Sequence, residues 1–330
     1  MSTTLPPELE CEIFEAAAQL NPEDNPTLLR VAKRVYSWIR PFLFRIIRGA
    51  NGKLWSALLL AMETEPDFLR KSVRFVCIEH GTNQFASAKQ IKRLLQICTE
   101  VVDVALTSTV PMDGYLDLLA QMPRLRRLTC SLRELFGDES APIDPRHEGL
   151  SRITHLEILD ETLINDDGFW LELEGVAGLP SLTHLAITPS PEARNWQNDE
   201  LEVAWSRIQR ILDATPQTRL RVLALVWDKH EARLHFDAVN SATLRDPRLV
   251  AGSFEDLSLK KHVYDAWCEW EESAMGLVSD YWEKAELFLE RRRKGEVPAS
   301  RIWMEDWLYD ENESSSDSET SSSEGTSDWE

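Results

Sequence analysis

The sequence predicts an α/β chain in four parts: a short N-terminal three-helix module (1–48), an irregular strand–helix solenoid (49–260), a C-terminal helical cap (261–309) and a disordered acidic tail (310–330). Three observations carry that prediction. Apolar alternations in a common L-x-x-L-x-L frame start at Val73, Val101, Leu125, Ile153, Leu182 and Leu220, at intervals of 28, 24, 28, 29 and 38 residues. Ahead of them, residues 5–45 carry three short amphipathic segments punctuated by prolines. Behind them, "DENESSSDSETSSSEGTSDWE" is dense in like charge and has no apolar period, so it buries too little surface to offset ordering.

The first helix is expected over "LPPELECEIFEAAAQL", residues 5–20. Pro6 and Pro7 suit a first turn, where a missing N–H costs nothing, and Leu9, Ile13, Ala16, Ala17 and Leu20 recur as one apolar stripe. Glutamates in the first turn suit the positive end of the helix dipole. The stripe requires a partner inside the chain or outside it. "NPEDNPTLL" then breaks the helix with two Asn-Pro pairs. A second helix is expected through Leu28, Leu29, Val31 and Ala32, and a third through Val35, Trp38 and Ile39 until Pro41 bends or restarts the backbone.

The order Leu5-Pro6-Pro7-Glu8-Leu9, then Ile13, Leu28/Leu29, "VAKR" from Val31 and "PFLFR" from Pro41 resembles the F-box. That three-helix module docks onto the Skp-type adaptor of cullin-RING ubiquitin ligases. The wider chain is similar to the F-box-like proteins numerous in fungi. The resemblance implies an adaptor-binding face made of Leu5, Pro6, Leu9, Ile13, Leu28 and Val31. Val35 stands where the family is usually aromatic, and the stretch between the first two helices is unusually polar. A helical module that only covers the end of the next domain is the alternative.

Four of the five intervals between frames fall within the 20–29 residues of leucine-rich repeats, whose unit is a short strand followed by a helix. Helical periodicity between the frames agrees: Ile91, Leu94, Leu95 and Cys98 within 85–98, "YLDLLAQM" at 115–122 and "ELEVAWSRIQRILDA" at 200–214. The repeats are irregular, without the characteristic asparagine. A doubly wound α/β sheet also alternates strand and helix, but no G-x-G-x-x-G or phosphate-loop motif follows any frame, and the chain has only 13 glycines. "DPRLV" at 246–250 reads as a turn into a last strand. "SDYWEKAELFLERRRKG" at 279–295 reads as a helix capped by Ser279 and ended by Gly295, its apolar face made of Trp282, Ala285, Leu289 and Phe288. With Trp267 and Trp270 it is expected to close the open end of the solenoid core.

With 43% hydrophobic residues the chain can bury a large core, and its length suggests about two domains. The formal net charge is -20. Residues 305–330 hold ten acidic and no basic residues, so they supply half of it, and the remaining body has no clustered positive field for nucleic acid. Five scattered cysteines without C-x-x-C spacing read as reduced thiols. No basic-then-apolar leader and no stretch of about 18 apolar residues occurs, so neither secretion nor membrane insertion is expected, and the compartment is read as cytoplasmic or nuclear.

In each frame the fourth and sixth residues are expected to face the core, and the third, fifth and seventh to face outward, by the strand period of two. Phe75, Arg127, His155, Glu157, Leu159 and His184 therefore make an open, mixed-polarity face suited to a protein target. His155 and His184 occupy equivalent places in successive T-H-L triplets. They are close enough for two metal ligands, but no third ligand is indicated, so no metal or cofactor is expected. "ERRRKGE" at 290–296 reads as a dipole-matched helix end, with a nuclear import signal as the alternative. The tryptophans at 267, 270, 282, 303 and 307 read as cap packing, with a ligand cage as the alternative. Ser314, Ser316, Ser321 and Ser327 each precede an acidic residue by three positions and are candidate phosphorylation sites. No nucleophile elbow, H-E-x-x-H or phosphate loop appears, and no enzyme is expected. The composite expectation is a non-enzymatic F-box-like receptor linking an unidentified protein target to a Skp-type adaptor and cullin-RING ligase. A ligase-independent interaction scaffold is the alternative.

Overall fold

The structure, a computed structural model, describes residues 5–49, 52–79, 86–107, 114–136, 143–159, 167–188, 198–214, 220–241, 244–254 and 267–305. Trp307 and the four tail serines lie outside them. The N-terminal module is α1 (Pro7–Leu20), α2 (Asn25–Leu28) and α3 (Lys33–Leu43). Its own small core joins Ala18, Val35 and Ile39 to Phe14, Leu28, Trp38 and Phe42. Arg34 bonds Glu10 at 2.7 Å across α1 and α3. Two details depart from expectation. α2 stops at Leu28, because residues 29–31 turn back through 3-10-type bonds from Arg30 and Val31 to Thr27 and Leu28. α3 continues through Pro41, which sits in its last turn, where a missing N–H removes a single bond near the helix end.

Eight strands follow: β1 (Ile46–Arg48), β2 (Phe75–Ile78), β3 (Asp103–Leu106), β4 (Arg127–Cys130), β5 (His155–Ile158), β6 (His184–Ile187), β7 (Val222–Asp228) and β8 (Leu249–Phe254). They form one sheet, every neighbouring pair is parallel, and their spatial order is their chain order. Six are the predicted frames and β8 is the predicted last strand. β1 is additional: "IIR" is too short to show a period, and it places the start of the sheet inside the stretch assigned to the module.

The crossovers carry α4 (Gly52–Thr64), α5 (Pro66–Ser72), α6 (Ala88–Ile97), α7 (Tyr115–Ala120), α8 (Leu132–Leu135), α9 (Asp167–Ala177), α10 (Asn198–Ala214) and α11 (Lys229–Ser241). Local sequence starts several of them. Pro66 occupies the first turn of α5, and Ser87 with Gln90 closes a capping box at α6. The fourth and sixth frame residues, Val76 and Ile78 through Leu223 and Leu225, pack on Leu58, Leu94, Leu119, Leu173 and Ile208 of these helices in one continuous core. Arg40 fastens the module to this body with two bonds to Glu65, at 2.7 and 2.8 Å, and by lying 4.1 Å over the Phe68 ring.

The C-terminal helices, α12 (Trp267–Met275) and α13 (Tyr281–Arg293), do not close the end of the core. They lie on the sheet face opposite α4–α11. The far edge is closed instead by residues 301–305. Ala251 N–H donates to Ile302 at 2.8 Å and Met304 N–H donates to Ala251 at 2.9 Å, pairing this segment parallel to β8. Trp303, fully buried, packs on Trp227 and Phe236. Arg292 gathers the carbonyls of Pro247, Leu249 and Arg301 at 2.9–3.1 Å, so part of the basic run pins α13 to this edge. An unpaired terminal strand is an aggregation hazard that this segment removes. Trp303→Ala is expected to cost about 3–5 kcal/mol in urea unfolding and to promote self-association as β8 is uncovered.

Candidate functional site

In-register pairing aligns equivalent residues of successive strands into rows across the face that carries α12 and α13. One row runs Ile46, Phe75, Asp103, Arg127, His155, His184, Val222. The next runs Arg48, Cys77, Ala105, Thr129, Glu157, Ala186, Ala224, Val250. The face is mixed over β1 and β2, mostly polar over β3–β5 and, His184 apart, apolar over β6–β8. α13 matches the apolar end: Trp282, Ala285, Phe288 and Leu289 cover Ala186, Val222, Ala224, Val226 and Val250. The expected open face is therefore largely covered, because these small and branched apolar residues need a lid that the solvent does not provide.

Charged contacts hold the polar end. Asp280, not the expected Ser279, caps α13 by accepting from Glu283 N–H at 2.8 Å, and its second oxygen accepts from Arg127. Arg48 reaches up from β1, bonding Glu79 at 2.8 Å on one side and Glu271 of α12 at 3.2 Å on the other. Gly276, at φ 79°, permits the tight turn from α12, closed by a bond from Leu277 N–H to Glu272.

His155 and His184 stack with ring centroids 4.0 Å apart and planes 8° from parallel, and Trp282 meets both edge-on. Stacked faces turn their nitrogen lone pairs away from a shared point, which does not suit joint metal ligation. Among the described residues no group of three metal-ligating side chains comes together. His184 is only 3% exposed, with the Thr183 hydroxyl 2.7 Å from Nδ1 and Glu286 3.1 Å from Nε2. The Thr183 hydroxyl also donates to the Thr154 carbonyl at 3.0 Å, and burial pushes the His184 imidazole below its ordinary value. Burial first, then His184 and Arg127, push the His155 imidazole down to about 3.

Between the polar strands and α12 lies a cavity of about 660 Å³. Phe75, Arg127, His155, Glu157 and Leu159 line it, whereas His184 does not. Phe75 packs edge-on against Trp270, 6.2 Å between ring centroids. Glu157 accepts from the hydroxyls of Thr129 at 3.0 Å and Thr188 at 3.2 Å, and burial raises its carboxyl above the usual range. The Tyr281 hydroxyl lies near that carboxylate without closing a well-formed hydrogen bond. Asp103 is 6% exposed. Its burial outweighs nearby Arg127 and the Trp270 indole and lifts it to about 6.

Five of the six residues expected on an open face line this cavity; Asp103, Asp280 and Tyr281 were not among the expected site residues, and Trp270 entered only through the alternative of a tryptophan ligand cage. Asp103 carried a signal, since it is a carboxylate at an outward frame position beside aliphatic neighbours. Asp280 and Tyr281 carried none, because nothing local tells a helix to fold onto a face rather than an end. No family model, curated protein or solved structure matches the chain.

Opposite pH dependences follow. Asp103 takes up its proton more readily in the folded chain, so the associated stability is present below its ordinary value near 4 and is lost as pH rises through about 6. Asp103→Asn is expected to gain up to roughly 3 kcal/mol more, relative to the parent, at pH 7.5 than at pH 3.5, read as the difference in unfolding free energy. His155 resists protonation when folded, so its contribution is present above its ordinary value near 6.5 and is lost as pH falls toward about 3. His155→Asn is expected to flatten the acid limb of the melting-temperature profile across that window.

Proposed function

We propose that the chain is an F-box-like substrate receptor, in which α1–α3 dock onto a Skp-type adaptor of a cullin-RING ubiquitin ligase. One observation carries the reading. The module closes a core of its own around Val35 and Ile39, yet leaves Leu5, Leu9, Ile13 and Val31 between 46% and 57% exposed. Leu28 turns partly into that core, so its share of the docking face is the edge that stays accessible. Large aliphatic residues in that number on so small a unit call for cover by another surface.

The sheet domain supports the second half of the proposal. Parallel strands stacked in chain order, with α4–α11 on one face, suit an irregular leucine-rich-repeat-like solenoid. Its opposite face, narrowed by α12 and α13 to the cavity around Phe75, Arg127, His155, Glu157 and Leu159, presents the target. The chain then acts by proximity, and other subunits perform ubiquitin transfer.

Leu9→Asp together with Ile13→Asp tests the reading. Both positions are exposed, so the double variant is expected to melt within a few degrees of the parent while losing capture of recombinant Skp-type adaptor. Undiminished capture by the folded variant ends the docking proposal. A parent chain that captures no adaptor leaves the ligase-independent scaffold in its place.

A further inference from the structure

We propose that the cavity between the strand face and α12 binds an organic cation. Its ligand is an ammonium or guanidinium head on an aliphatic stem, with Asp103 and Glu157 facing the charge and Phe75, Trp267 and Trp270 lining the stem. The inference concerns the cavity alone and does not depend on what the module docks to.

Size and shape come first. About 660 Å³ lies within the range of small-ligand pockets, and apolar walls with a few convergent polar groups are their usual make-up. The lining runs from exposed Leu20 and Leu277 down to buried Asp103 and Thr129, so the cavity has a mouth beside the end of α1 and the α12–α13 turn. Half-buried Trp267 and Trp270 add aromatic surface, which favours a cation over a neutral group of the same size.

Charge sets the sign of the ligand. Among the described residues neither Asp103 nor Glu157 makes an ion pair. Glu157 is held by two threonine hydroxyls, and Asp103 is approached by the Trp270 indole. Of the cations on the lining, Arg127 bonds Asp280, Arg126 donates to the carbonyls of Pro123 and Leu125, and Arg45 lies 5.8 Å over the Phe75 ring with its Nε unbonded. His155 stays neutral. The cavity floor thus holds two carboxylates outside any ion pair, Asp103 buried beside Arg127 and Glu157 half-buried, and a bound cation supplies that pairing. An anion would add a third negative group to the same space.

Calorimetric titration of the 330-residue chain at pH 7.5 tests this with four probes. They are agmatine, the capped peptide acetyl-Gly-Gly-Lys-Gly-Gly-amide, its alanine counterpart and sodium butyrate. Agmatine or the lysine peptide is expected to bind at least about tenfold more tightly than the alanine peptide or butyrate, the discrimination of one charge-assisted hydrogen bond. Tighter binding of the peptide identifies a basic side chain of a protein as the source of the cation, and tighter binding of agmatine identifies a free amine. Glu157→Gln and Asp103→Asn, each isosteric, are expected to weaken the cationic probe by about tenfold or more. The proposal is overturned if neither cationic probe binds at millimolar concentration. Equal or tighter binding of butyrate overturns it too, as does unchanged affinity in both folded variants. The comparison among probes uses the unmodified chain and so stands even where a variant fails to fold.

Discussion

In-register parallel pairing of eight strands in chain order is the constraint on which everything else here depends. Each crossover returns the chain one strand further along, so equivalent frame positions fall into rows. A row is then a single chemical surface rather than a set of independent residues. On one side the rows are aliphatic from Val76 to Leu225, and α4–α11 cover them. On the other side the rows change character along the sheet, from Phe75, Asp103 and Arg127 through the histidine pair to Val222. A one-residue slip at any strand would exchange the two surfaces, placing Arg127 and Glu157 in the core and Leu128 and Ile158 outside.

The graded face explains why α13 lies where it does. Its apolar side finds a complement only over β6–β8, and its N-terminus then falls over β4, where the capping carboxylate of Asp280 is met by Arg127. A carboxylate at a helix N-terminus is already favoured by the dipole, and the guanidinium adds a directional bond to it. Apolar burial supplies the attachment of the helix, and the ion pair supplies its position. Arg48 does the same for α12, since its fork is shared between Glu79 of the sheet and Glu271 of the helix. Partly buried pairs of this kind contribute little net stability but strongly disfavour alternative placements that leave one partner unpaired.

Local physics was legible in the sequence and long-range placement was not. The six frames became strands because alternation at period two is a property of neighbouring residues, and α6, α7 and α10 followed from period 3.6 in the same way. β1 was missed since three residues show no period. Pro41 was read as a bend or restart of the backbone, and α3 does not restart there, because near a helix end the proline removes only one hydrogen bond. The C-terminal helix was recognised with its Gly295 stop, but its destination was misjudged. An end of the sheet and a face of the sheet both offer apolar surface, and only the sum of Ala186, Val222, Ala224, Val226 and Val250 across three strands shows that the face offers more. Five of six outward residues meet at the cavity because the frame itself fixes which way they point. The sixth, His184, lies one strand too close to the apolar end and is sealed under Trp282.

The cavity follows from the same mismatch. Over β6–β8 the face is made of small and branched side chains, and α13 sits close. Over β3–β5 it carries Asp103, Arg127, Thr129 and Glu157, and a helix laid as closely would desolvate charges with nothing to pair them. The chain turns at Gly276 instead, and α12 comes close to the sheet at β1, where Arg48 bonds Glu271, so the volume over β3–β5 stays unfilled. Filling it with hydrophobic side chains from α12 would leave the carboxylates buried and unpaired. Leaving it open keeps them in contact with whatever enters. The cavity is thus where the sheet's rows change from surface that drives packing to surface that forbids it, and its chemistry is set by the strands beneath rather than by the helix above.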